Sequence, residues 1–89
     1  MISYASIDRI EGKWVVCEVE LLPFEESKPE DFAIKDTAMM DVLLSRFSNE
    51  VEEGDIFVVE HNNENVIAVC FKDEDEKTRR YEILKTITG

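Results

Sequence analysis

The segment Trp14-Val15-Val16-Cys17-Glu18-Val19-Glu20-Leu21 constrains the fold more than any other part of the chain. Val15, Cys17, Val19 and Leu21 recur at every second position, the period of a strand with one buried face. On that pattern Glu18 and Glu20 point to water. Gly12 marks a tight turn just before this strand, and Ile7 to Glu11 reads as its partner. Ile7, Arg9 and Glu11 fall on one face of that first strand, with Asp8 and Ile10 on the other. The first third of the chain is therefore predicted to be a β-hairpin.

Beyond Leu21 the alternation stops. Pro23 and Pro29 flank the polar stretch Glu25-Glu26-Ser27-Lys28, which reads as a loop. Phe32-Ala33-Ile34-Lys35 then offers a short third strand. Met39, Met40, Leu43, Leu44 and Phe47 match helical spacing, and Asp36 or Thr37 can cap them, which predicts a short middle helix of about three turns. Glu52-Glu53-Gly54-Asp55 is a turn in which Gly54 supplies a positive φ. Ile56 to Glu60 and Val66 to Phe71 are further strands, joined by the turn His61-Asn62-Asn63-Glu64-Asn65. The apolar run of the last strand is continuous, so both of its faces are expected to be covered.

The end of the chain has the grammar of a helix over about Glu74 to Thr86. Asp73 and Glu76 form an Asp-x-x-Glu capping pair, and Glu74 and Asp75 sit at the positive end of the dipole. Lys77, Arg79, Arg80 and Lys85 follow, and Asp75–Arg79 and Glu76–Arg80 are spaced for ion pairs one turn apart. Tyr81, Leu84 and Ile87 or Thr88 give a narrow apolar stripe. The fold class is α+β, mainly β, with one domain over residues 1–89. Its expected form is a small five-stranded curled antiparallel sheet or barrel, SH3-like or OB-like, with a short middle helix and a C-terminal helix.

Ten basic against 21 acidic side chains leave a net charge of −11. That field repels phosphate backbones and anionic membranes, so neither nucleic acid nor a membrane is an expected partner. Solubility alone accounts for such a charge, and a basic protein partner suits its sign. No apolar run approaches the roughly 18 residues of a membrane span. Met1-Ile2-Ser3-Tyr4-Ala5 has neither a basic nor a long apolar leader segment, so a cytoplasmic location is expected. The two cysteines, Cys17 and Cys70, lie in strand-like segments. They read as small buried hydrophobes, a bridge between paired strands being the alternative.

Assembled chemistry is not visible in the sequence. His61 is the only histidine; in an Asn-rich turn it reads as solvated, although Glu60 and Glu64 stand beside it. Zinc needs several His or Cys ligands at set spacings, and a nucleophile needs a base. Helix capping accounts for the acidic run Asp73 to Glu76, and the three glycines are too scattered for a phosphate loop. No catalytic, cofactor-binding or metal-binding residue is assigned, no cofactor is expected, and the chain is not expected to be an enzyme. Arg9 is expected to pair with an acid on a neighbouring strand or on the C-terminal helix.

A binding surface is expected from Trp14, Phe24 and Phe32 near the loop after the second strand, with Met39 and Met40 adding a Met-rich face. The expected role is a non-enzymatic accessory or protein-binding module, monomeric or weakly self-associating, with an unidentified protein partner of basic charge. Two other classes compete with it. One is a small metal-binding or carboxylate-based enzyme built from acids and His61; the other is an acidic polyanion mimic that inhibits a basic protein.

Four motifs carry a family resemblance. Ile7-Asp8-Arg9-Ile10-Glu11-Gly12, Val15-Val16, Glu53-Gly54-Asp55 and Asp75-Glu76-x-Thr78-x-Arg80 occur in that order. Together they resemble the short bacterial proteins grouped as the domain of unknown function 3006 family, over about Ser6 to Leu84. The stretch from Leu22 to Phe47 is longer than that pattern, and Leu44-Ser45-Arg46-Phe47 replaces its Leu-Pro element. The resemblance implies a small β-barrel module, in some relatives attached to secreted metallo-β-lactamase-fold hydrolases, with an accessory or docking role and no catalytic residues to carry over.

Overall fold

A computed structural model of the chain describes residues 1–28 and 36–88, with side chains through Thr86. Its strands are β1 (Ile2–Glu11), β2 (Trp14–Glu20), β3 (Thr37–Leu43), β4 (Ile56–His61) and β5 (Val66–Lys72), followed by the helix α1 (Glu74–Thr88). Single 3-10 turns occupy Phe24–Glu26 and Leu44–Arg46. All five strands pair antiparallel in the order β3-β2-β1-β4-β5. Among the described residues the sheet is not closed by hydrogen bonds, but its edges approach each other. Arg46 ties them, donating from Nη1 to the Val66 and Ile67 carbonyls at 3.2 Å each.

The alternation in β2 sets the core. Val15, Cys17 and Val19 are fully buried and pair across the ladder with Val42, Met40 and Ala38 of β3. Ala5 and Ile7 of β1 and Phe57 and Val59 of β4 complete this interior, and Phe47 meets Phe57 edge-on with ring centroids 5.0 Å apart. Full burial of each large apolar side chain stabilises by about 1.5–3 kcal/mol. The hairpin turn lies where Gly12 takes φ +59, and Gly54 takes φ +87 in the turn before β4. The added carbon of a side chain would meet nothing at either glycine, so the backbone conformation alone demands them.

The middle helix is corrected. Met39 to Leu43 lie in β3, and only Leu44–Arg46 make a helical turn, of the 3-10 kind. Ala38, Met40 and Val42 face the core at period two while Met39, Asp41 and Leu43 face out. The apolar positions fit either period, and the unpaired edge of β2 decides, because β3 satisfies its backbone groups. The expected strand Phe32-Ala33-Ile34-Lys35 lies outside the described residues.

Two further patterns break locally. A bulge between Ile7 and Arg9 shifts the β1 register, so Asp8 and Arg9 do not simply alternate. The last strand, β5, is an edge with Ile67 and Phe71 exposed rather than a segment covered on both faces. Cys70 is exposed on it, so only Cys17 is a buried hydrophobe, and both thiols are free.

The helix begins as its cap predicts, with Asp73 Oδ1 accepting from the Glu76 amide at 2.9 Å. The reciprocal half of the capping box is absent: the Asp73 amide donates instead to the Ile56 carbonyl at 2.8 Å. Its buried side is not the expected stripe either. Tyr81 and Leu84 are exposed, whereas Glu76 and Arg80 are buried against the sheet.

Candidate functional site

The outer face of β2 and β3 carries an exposed apolar group. Trp14 pairs with Leu43, Val16 with Asp41 and Glu18 with Met39 across the ladder, which puts all six on one face. Trp14 is 42% exposed, Met39 51% and Leu43 36%. A groove of about 580 Å³ opens here, walled by Arg9, Trp14, Val16, Met39, Asp41 and Glu64, with Met40 and Asn65 adjoining. Arg9 is held within its own strand, donating from Nη1 to Asp8 and from Nε to Glu11. The expected bridge to another element is therefore corrected: the acids that reach Arg9 lie on β1 itself, Glu11 two residues on along the regular part of the strand and Asp8 at the bulge.

Of the five residues expected on a binding surface, the structure brings Trp14 and Met39 together on exposed surface. Met40 touches the same groove but is only 3% exposed and belongs to the core opposite Cys17. Phe24 sits elsewhere, edge-on to Tyr4 at 5.7 Å and to Phe71 at 6.5 Å. Phe32 lies outside the described residues. Leu43 and Asp41 were not singled out, though a period of two through β3 places both beside Met39.

His61 is not the solvated turn residue expected. It ends β4 at 1% exposure, with Nε2 2.8 Å from Ser3 Oγ. Its Nδ1 accepts from the Asn63 amide at 3.1 Å, so Nε2 carries the proton and donates to Ser3. Ser3 Oγ donates onward to the Leu22 carbonyl at 2.6 Å. A nucleophilic serine needs the opposite order, with histidine accepting its proton. This pair is a buried fastening between β1, β4 and the loop after β2. Burial, then the terminal ammonium, pushes the imidazole below its ordinary value.

The seam between α1 and the sheet is ionic. Arg80 donates from Nε to Glu76 at 2.7 Å, and its Nη1 lies 2.8 Å from Glu20 Oε2. Its guanidinium also lies 5.0 Å from the centre of the Tyr4 ring. Glu20 is thus buried, contrary to the alternation. Nearby, Asp55 accepts from the Glu52 amide at 2.8 Å and from Lys77 at 2.7 Å, with Lys72 at 3.2 Å. Burial opposes its charge, yet these donors together hold the carboxyl below its usual range. Burial, then Glu76 and Asp73, raises the Tyr4 phenol.

Among the described residues no group of three or more His, Cys, Asp or Glu is placed to hold a metal ion. Among the same residues no helix is long and apolar enough to cross a membrane. No protein-family model, curated protein or solved structure matches the chain.

Proposed function

We propose that this chain is a non-enzymatic accessory module that binds another protein through the outer face of β2 and β3. The observation that carries this reading is the joint exposure of Trp14 and Met39 beside one groove. Exposed tryptophan anchors contribute disproportionately to protein interfaces. Asp41 and Glu64 in the groove wall, within a chain of net charge −11, favour a partner segment that pairs apolar anchors with basic residues. The resemblance to small β modules found beside hydrolases leans toward the same accessory role. A cytoplasmic setting suits the free thiols of Cys17 and Cys70.

Trp14 is the only tryptophan, so its emission reports on this face directly. Titration with an amphipathic Lys/Leu peptide is expected to shift that emission, and a Glu/Leu counterpart is expected to leave it unchanged. Met39→Asp should weaken the Lys/Leu interaction by about ten-fold or more. Absence of any emission change, or equal response to both peptides, would sink the docking reading. The charge also favours the polyanion-mimic reading, which predicts binding that is strongly salt-dependent and indifferent to Met39→Asp.

A further inference from the structure

Among the described residues β3 ends the sheet and pairs only with β2. The phase of that ladder is fixed at both ends. The Leu21 amide donates to the Asp36 carbonyl at 3.0 Å, and the Leu44 amide to the Lys13 carbonyl at 2.8 Å. Hydrogen-bonded pairs alternate along an antiparallel ladder, so Ala38, Met40 and Val42 turn their amides and carbonyls toward β2. Thr37, Met39, Asp41 and Leu43 turn theirs toward the open edge, and the same four carry the exposed side chains of the strand. Successive strand residues point to opposite faces, so a groove lined by Met39, Met40 and Asp41 in turn follows the edge between them.

The other edge of the sheet is guarded. Two register shifts interrupt the β4–β5 ladder, and Arg46 donates to the Val66 and Ile67 carbonyls. Bulges and covered backbone groups are the usual defences against strand addition. The seven residues of β3 hold an unbroken register with β2 and include no lysine or proline. An edge this regular, beside an exposed tryptophan, is a template for an incoming strand.

We propose that the partner enters as an extended segment that adds a sixth strand antiparallel to β3, a mode that rests on the protein-binding reading of the same face. Its outward side chains then stand opposite Leu43, Asp41 and Met39. The segment therefore carries apolar, basic and apolar residues at every second position. Asp41 and Glu64 are the acids of the groove wall, and its cation, Arg9, is already paired with Asp8 and Glu11. A second copy of the chain fits badly: both chains carry a charge of −11, and β3 has no basic residue to meet the Asp41 of its copy.

The probe is the capped peptide Thr-Leu-Thr-Lys-Thr-Leu-Thr added to the full chain, followed by Trp14 emission and amide hydrogen exchange. Binding should shift the emission and slow exchange at the Met39, Asp41 and Leu43 amides. N-methylation of the peptide's Lys amide, which faces β3, should weaken binding by about ten-fold or more. N-methylation of the Thr that follows it, whose amide faces away, should change binding by less than about two-fold. Asp41→Lys should reverse the preference, so that the same peptide with Glu in place of Lys binds more tightly. Equal loss from the two N-methyl groups, or no slowing at the three edge amides, would overturn the added strand; the docking face survives that result if the amphipathic Lys/Leu peptide still shifts Trp14. Emission unmoved by either peptide removes the face and the strand together. Slowed exchange of these amides in the chain alone, growing with its concentration, would assign the edge to a second copy and overturn the proposal.

Discussion

Arg80 of the C-terminal helix and Glu20 at the end of β2 meet at 2.8 Å with both side chains almost wholly buried. Glu76, one turn before Arg80, shares the same guanidinium at 2.7 Å. The helix is therefore held to the sheet by charge where an apolar stripe was expected. Such an attachment is sensitive to the loss of one partner and tolerant of the loss of all.

Arg80→Met leaves two buried carboxylates facing each other and should destabilise the fold by about 3–5 kcal/mol. The triple replacement Glu20→Leu, Glu76→Leu and Arg80→Met should recover most of that loss, because among the described residues the only further ion-pair partner of these three, Arg79 on Glu76, is exposed to water. Urea unfolding of both variants checks the pair. A triple variant as unstable as the single one would show that the fold needs the charges themselves.

Neighbouring methionines distinguish the strand from the helix. Met40→Ala should cost about 2–5 kcal/mol, the penalty for hollowing a core. Met39→Ala, on the opposite face, should stay within about 0.5 kcal/mol of the parent. Thermal or chemical unfolding measures both, and comparable costs would contradict the β3 register.

Asp55 should make stability acid-sensitive. Its folded value is depressed below the ordinary 3.8, so its contribution is fully present above that pH and is lost as pH falls toward the folded value. At neutral pH, Asp55→Asn should cost about 1.5–3 kcal/mol, the worth of hydrogen bonds to a charged group. The gap between parent and variant should narrow below 3.8, as followed by unfolding across an acid series.

His61 acts in a higher window. Its folded value is depressed below 6.5, so above that pH the imidazole is neutral in both states. Below it the unfolded chain takes up a proton that the folded chain declines, and stability falls as pH drops. The slope should reach at most about 1.4 kcal/mol per pH unit. His61→Gln should flatten the curve as pH falls below 6.5. A parent curve that is already flat there would remove this role.

The thiols should separate cleanly in the native state. Burial, then Asp41, pushes Cys17 up to about 12, while Cys70 is exposed on β5. A thiol reagent is expected to label Cys70 promptly and Cys17 only on unfolding. Mass spectrometry of the labelled chain reads the outcome.

Much of the frame was legible along the chain. The β2 alternation, the turns at Gly12 and Gly54, the strands β4 and β5 and the Asp73 cap all follow from local rules, because each feature depends on near neighbours. Half of the candidate site was legible too. Trp14 and Met39 were marked by their chemistry, but their meeting on one face required the β3 register. That register was hidden because Met39, Met40, Leu43, Leu44 and Phe47 fit a helical spacing as well as a strand.

By itself the sequence determined where strands and turns fall, which face of β2 is apolar, and the sign of the protein's field. Only the tertiary structure decided which polar groups are buried. Glu18 and Glu20 are equivalent by alternation, yet Glu20 alone is covered, because Arg80 arrives from the far end of the chain. The same holds for Asp55 beneath Lys77 and for His61 against Ser3. A charge or an imidazole leaves water only when a distant partner replaces that water, and no local pattern encodes such a partner.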